Sequence, residues 1–112
     1  MNNNFLFVCS ANIQRSKTGE DYFSQKHNKL NFESAGTNIK LSQKEGTNLI
    51  TEEMLIWADI IFVMEQKHLR IINENTENKY IDKIVLLSIE DKYKYYQKEL
   101  IEILIDKTKK YF

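Results

Sequence analysis

The chain of 112 residues has no proline, three glycines and one cysteine, and its formal net charge is zero. A single cysteine cannot form an internal disulfide, and with only His27 and His68 beside it a zinc site cannot be assembled. Zero net charge disfavours nucleic acid as the main partner, because no basic excess is present to neutralise phosphates. We therefore expect a protein without a metal or other cofactor that does not bind nucleic acid.

Long hydrophobic runs are also missing. The apolar segment at residues 5–8 is too short for a membrane span or a signal peptide, and no basic segment precedes it. We expect no membrane partner and a cytoplasmic location, where a free thiol stays reduced. The length predicts one domain, residues 1–112.

Strand-like and helix-like segments alternate along the chain, which is typical of a parallel sheet covered by helices on both faces. The strands are predicted at about residues 4–8, 31–34, 60–63 and 83–87. The helices are predicted at about residues 16–28, 51–57, 65–73 and from 96 onwards. Residues 37–48 lack apolar periodicity and predict a loop, and residues 73–78 predict a turn.

Polar or reactive residues follow each predicted strand. They are Cys9, Ser34, Glu65 and Asp91. The loops that follow parallel strands emerge at one edge of the sheet, where open α/β sheets bind their ligands. We therefore expect these four residues to lie near one another.

The segment from Cys9 to Ser16 has the composition of an anion site. A helix N-terminus presents unpaired N–H groups and a positive dipole end, and together with a nearby cation it favours a thiolate. Arg15 offers a planar fork that can bind two oxygens of a phosphate, and Ser16 can donate a hydrogen bond to the sulfur. The simpler alternative is a buried structural cysteine beside an unrelated surface arginine. Against it, the chain has only two arginines, and one of them stands six residues after the only thiol.

The pattern Val8-Cys9-x-x-Asn12-x-x-Arg15-Ser16, followed by Glu20, resembles the active-site signature of the low-molecular-weight protein tyrosine phosphatases. Three further segments resemble the family in the same order along the chain. They are Ser34-Ala35-Gly36-Thr37, residues 58–65 with His68, and Asp91-x-Tyr93.

The resemblance implies a single-domain α/β fold of three layers, with a four-stranded parallel sheet in the order 2-1-3-4 flanked by helices. It implies a phosphomonoester hydrolase that acts on a phosphotyrosine protein or a small aryl phosphate and releases inorganic phosphate. Cys9 would form a phosphocysteine intermediate, Arg15 would bind the phosphate, and Asp91 would be the general acid and base.

Other residues take supporting roles by the same resemblance. Asn12, Ser16 and Ser34 would hold the loop in shape. Tyr93 would form an aromatic wall for the substrate ring or would pack at the start of the last helix. The phosphate would be bound by the loop residues Ser10, Ala11, Asn12, Ile13, Gln14, Arg15 and Ser16. His68 is expected at a helix surface or partly buried, without a part in catalysis.

Several alternatives stay open. Asp91 is followed by Lys92 instead of the family's usual proline, and Glu90 beside it could be the acid instead. A cysteine phosphocarrier or a non-catalytic module that binds phosphoproteins would use a similar loop, whereas an arsenate reductase would need more cysteines.

The chain also departs from the family's pattern. Ala11 stands in place of a common glycine, and Gln14 in place of a second cysteine. Between residues 37 and 51 the family usually carries more sequence, including a helix, so we expect only a polar loop here and a shallower rim of the pocket.

Overall fold

The computed structural model describes residues 2–112, which form a four-stranded sheet with helices on both faces. The strands are β1 (Asn4–Cys9), β2 (Asn31–Gly36), β3 (Ile60–Val63) and β4 (Ile84–Leu86). The helices are α1 (Arg15–Lys26), α2 (Ile39–Glu45), α3 (Glu52–Trp57), α4 (Gln66–Thr76) and α5 (Lys98–Thr108). A 3₁₀ turn, Ile81–Lys83, leads into β4.

All strand pairs are parallel and the order is β2-β1-β3-β4, as predicted. The central strand β1 is apolar on both faces because successive side chains point to opposite sides of the sheet. Phe5 and Phe7 pack against α1 and α5, whereas Leu6 and Val8 pack against α3 and α4. This burial fixes the register of β1 and so fixes the position of Cys9 at its carboxyl end.

The prediction of a plain loop at residues 37–48 is wrong, because α2 lies within it. Asn38 caps its first turn by accepting a hydrogen bond from the Leu41 amide at 3.0 Å. Gly46 ends the helix in the left-handed conformation with φ of 67°. Only Ser42 of this helix is buried, so it has no apolar stripe that periodicity could reveal.

The turn predicted at residues 73–78 is also displaced. Helix α4 continues to Thr76, and the left-handed residues Glu77 and Asn78 then end it. No helix within residues 2–112 is long and apolar enough to cross a membrane.

Candidate active site

Cys9 ends β1 and lies against the first turn of α1. Its side chain is 4% exposed, and its sulfur lies 2.9 Å from Ser16 Oγ. Ser16 Oγ is also 2.7 Å from Asn12 Oδ1. The Ser16 hydroxyl has one hydrogen, so a Cys9 thiolate requires that hydrogen to turn from Asn12 to the sulfur.

Residues on either side of α2 hold the backbone of the Cys9 loop by hydrogen bonds. The carbonyl oxygen of Cys9 accepts from the Thr37 amide at 2.9 Å, and that of Ser10 accepts from the Asn38 amide at 2.9 Å. The Thr47 hydroxyl donates to the carbonyl of Ala11. A trans peptide points its carbonyl and N–H in opposite directions, so the amides that follow these carbonyls face away from residues 37–47. Such free amides before a helix N-terminus suit an anion.

Asn12 gives the loop its unusual bend. Its φ is 56°, in the left-handed region that asparagine tolerates better than most residues, and its side chain is buried. Ser34, predicted to support the loop together with Asn12, donates instead to Glu20 Oε1 of α1 at 2.5 Å. It therefore ties β2 to α1 at the carboxyl edge of the sheet.

Arg15 is almost fully buried, with 2% of its side chain exposed. Its Nη1 donates to Glu65 Oε2 at 2.6 Å and to the Ile89 carbonyl at 2.7 Å. Burial raises the pKa of the Glu65 carboxyl, but the hydrogen bond and charge of Arg15 lower it more, so the pKa lies below its ordinary value. A charged Glu65 thus fixes one edge of the guanidinium, and Nη2 is not used by these contacts.

Asp91 lies beside Arg15, with Asp91 Oδ1 3.8 Å from Arg15 Nε. Its side chain is 57% exposed, and it lines one cavity together with the cysteine and the arginine. The complete lining is Cys9, Ser10, Ala11, Ile13, Gln14, Arg15, Leu41 and Asp91. The neighbouring Glu90 pairs with Lys92 at 4.0 Å and lines a different surface depression. This placement favours Asp91 over Glu90 as the candidate acid.

The segment that carries Asp91 is anchored at both ends. The Ile89 amide donates to the Met64 carbonyl at 2.8 Å, and the Tyr96 amide donates to Thr18 Oγ1 at 2.9 Å. Tyr93, predicted as an aromatic wall, packs as a partly buried side chain against the apolar cluster shared by β1, α1 and α5.

A scan of protein-family models and a search of curated proteins give no match to this sequence. Solved structures do resemble it. A low-molecular-weight protein tyrosine phosphatase from Streptococcus pyogenes is 16% identical, with a TM-score of 0.77, over 98% of this chain and 93% of that one. The chain has the low-molecular-weight protein tyrosine phosphatase fold. The fold implied by the sequence motifs is therefore confirmed.

The names of two further structures with this fold state a bound ligand or an activity. Vibrio vulnificus Wzb in complex with benzylphosphonate has a TM-score of 0.78 and 22% identity, over 99% of this chain and 97% of that one. The YwlE arginine phosphatase from Geobacillus stearothermophilus has a TM-score of 0.76 and 20% identity, over 96% of this chain and 91% of that one. At these identities the likeness establishes the fold alone.

His68 is fully buried and contacts the Cys9 loop, whereas a surface or partly buried position was expected. It has no exposed surface, its Nε2 lies 3.0 Å from Ser10 Oγ, and its Nδ1 lies 3.0 Å from the Glu65 amide. Burial and the positive charge of Arg15 lower its pKa to about 4. Its position three residues after the helix cap Glu65 was the available signal, because a side chain there can bond back to the cap amide.

Proposed function

We propose that this protein is a cysteine-dependent phosphomonoester hydrolase that acts as a protein tyrosine phosphatase. The observation that carries the proposal is the cavity in which a thiol, a buried guanidinium and an exposed carboxylate meet at the end of β1. The outward-facing loop amides supply the additional donors that a phosphoryl group needs. Asn12 and Ser16 hold the loop through their hydrogen bond, and Ser34 ties β2 to α1.

In the proposed mechanism the Cys9 thiolate attacks phosphorus. The S–P bond forms as the bond to the leaving oxygen breaks, and Asp91 donates its proton to that oxygen. Asp91 then takes a proton from a water molecule that attacks phosphocysteine, so that inorganic phosphate leaves and the thiolate returns. Arg15 and the amides of the loop hold the phosphoryl oxygens through both steps.

The rim of the cavity supports an aromatic substrate. Ile13 and Leu41 are both partly exposed and present apolar surface beside the thiol. Leu41 belongs to α2, so the rim has a helix where only a polar loop was expected. The similar Wzb structure holds benzylphosphonate, which carries an aromatic ring next to its phosphonate group. A phosphotyrosine protein or a small aryl phosphate is therefore the proposed substrate.

Hydrolysis of a chromogenic aryl phosphate across pH tests this function. We expect turnover by the wild type and none by Cys9→Ser. Asp91→Asn should lower kcat by about 10²- to 10⁴-fold, the usual contribution of a general acid or base. Glu90→Gln is the matched control, and it should leave kcat within about threefold of the wild type because Glu90 lies outside the cavity.

Other outcomes favour the alternatives. A wild type that binds vanadate but hydrolyses nothing indicates a phosphoprotein-binding module. A long-lived phosphocysteine that is insensitive to Asp91→Asn indicates a phosphocarrier.

The likeness to an arginine phosphatase raises a second substrate, phosphoarginine. A phosphotyrosine peptide and a matched phosphoarginine peptide should be compared by kcat/KM. We expect the phosphotyrosine peptide to be preferred, and a preference for phosphoarginine would overturn the substrate assignment while leaving the phosphatase mechanism intact.

A further inference from the structure

The first turn of α4 reaches the Cys9 loop through His68. Its imidazole bridges two groups, the Glu65 amide at Nδ1 and the Ser10 hydroxyl at Nε2, each at 3.0 Å. Ser10 directly follows Cys9 and lines the same cavity. No step of the mechanism above uses the Ser10 hydroxyl or the imidazole.

The hydrogen positions in this bridge follow from the chemistry of the donors. A backbone N–H can only donate, so His68 Nδ1 accepts from Glu65 and carries no hydrogen. The positive charges of Arg15 and Lys67 lower the pKa of the ring, and the negative charges of Glu65 and Asp91 raise it.

Burial and the charge of Arg15 outweigh the two carboxyl groups and hold the pKa of His68 at about 4. The ring is therefore neutral at pH 7. A neutral imidazole with a bare Nδ1 has its hydrogen on Nε2 and donates it to Ser10 Oγ.

A hydroxyl that accepts from His68 still has its own hydrogen to give. We propose that the Ser10 hydroxyl is an additional phosphate-binding donor and that His68 is the positioning residue that turns its hydrogen into the cavity. This inference rests on the proposed function for the identity of the anion. Glu65, which caps α4, holds Arg15. The N-terminal end of α4 thus orients both side-chain donors of the site. The charge of Glu65 orients Arg15, and the neutral ring of His68 orients Ser10.

Two measurements on the whole protein test the proposal. The first is ¹⁵N NMR of the His68 ring at neutral pH, with and without inorganic phosphate. We expect the Nε2–H tautomer, and we expect phosphate to shift the Nε2 hydrogen signal in the wild type and not in Ser10→Ala, because a donating hydroxyl becomes a stronger acceptor.

The second is calorimetric titration with inorganic phosphate and with vanadate. Ser10→Ala should weaken both affinities by roughly tenfold, the effect of losing one hydrogen bond to a charged ligand. Ser10→Thr should restore most of the affinity because it keeps the hydroxyl. Ser24→Ala, at an exposed position of α1, is the control and should bind like the wild type.

The outcomes separate this inference from the proposed function. An Nδ1–H tautomer, or an unchanged affinity in Ser10→Ala, overturns the inference even if the protein hydrolyses aryl phosphates. Ser10-dependent binding by a protein that hydrolyses nothing overturns the phosphatase function and supports the inference. A folded wild type that binds neither anion overturns both.

Discussion

Gly36, at the end of β2, is the position where a single methyl group should disturb the site most selectively. A Cβ there would lie 2.6 Å from the Ser10 carbonyl oxygen, 2.7 Å from Ser42 Oγ and 3.0 Å from the Ala11 carbonyl carbon. Two of these atoms are backbone of the Cys9 loop and cannot swing aside. The loop must move by roughly 0.8 Å to reach an ordinary contact distance of 3.4 Å. Overpacking of this kind costs about 1–3 kcal/mol of unfolding free energy.

Gly36→Ala should lower the activity of the folded protein as well as its stability. A displacement near 1 Å in a preorganised site can cost about 10²-fold in rate, so we expect kcat/KM to fall by roughly 10- to 100-fold. Aryl phosphate hydrolysis, phosphate affinity and urea unfolding measure the two effects separately.

Gly46→Ala is the matched control for Gly36→Ala. Gly46 has φ of 67°, so alanine there costs about 1–2 kcal/mol in strain, but its Cβ meets nothing within 4 Å. The reasoning is refuted if Gly36→Ala keeps wild-type activity, or if both variants lose the same fraction of phosphate affinity.

Two further substitutions test other contacts of the site. Glu65→Gln removes the charge that faces buried Arg15. Because Glu65 is 31% exposed, we expect the free energy of unfolding in urea to fall by about 1–3 kcal/mol. We also expect weaker phosphate binding, measured by calorimetry. Thr47→Val removes the donor to the Ala11 carbonyl, and we expect the free energy of unfolding to fall by about 1 kcal/mol. The fall in kcat on an aryl phosphate, expressed as a free energy, should be larger.

The pH dependence of stability reports on His68. The pKa of His68 is lowered in the folded protein, so as the pH falls the unfolded chain takes up a proton before the folded protein does. The free energy of unfolding should therefore fall by roughly 2–4 kcal/mol as the pH is lowered from 6.5 to about 4. His68→Gln should flatten that slope in unfolding curves recorded across the same pH range, and an equal slope would contradict the assignment.

The sheet could be predicted from the sequence because its strands are short apolar runs bounded by polar turns. The order of the strands came from the family resemblance. Of the four residues expected to lie together, Cys9 and Asp91 line one cavity and Glu65 contacts its arginine, since parallel strands deliver their following loops to one side. Ser34 bonds to Glu20 instead. The left-handed bend at Asn12 was also foreseeable, because few residue types tolerate it.

Other parts of the site depend on contacts that no local pattern encodes. Helix α2 was missed because only one of its residues is buried, and its caps Asn38 and Gly46 were its only local signals. The partner of His68 is Ser10, 58 residues away in the chain, and periodicity carries no information about such a pair. Ser34 was predicted to end its strand, but β2 continues to Gly36, and the partner of Ser34, Glu20, depends on how α1 packs over β2.

The central claim is that Cys9 is a nucleophile that carries the phosphoryl group between substrate and water. The most direct measurement is acid quenching of the protein during turnover of an aryl phosphate, followed by peptide mass spectrometry and ³¹P NMR. The account predicts a phosphoryl group bonded to sulfur on the peptide that contains Cys9, formed within the first turnover and absent from Cys9→Ser. Steady hydrolysis with no phosphocysteine at any quench time, or activity that persists in Cys9→Ser, would contradict it.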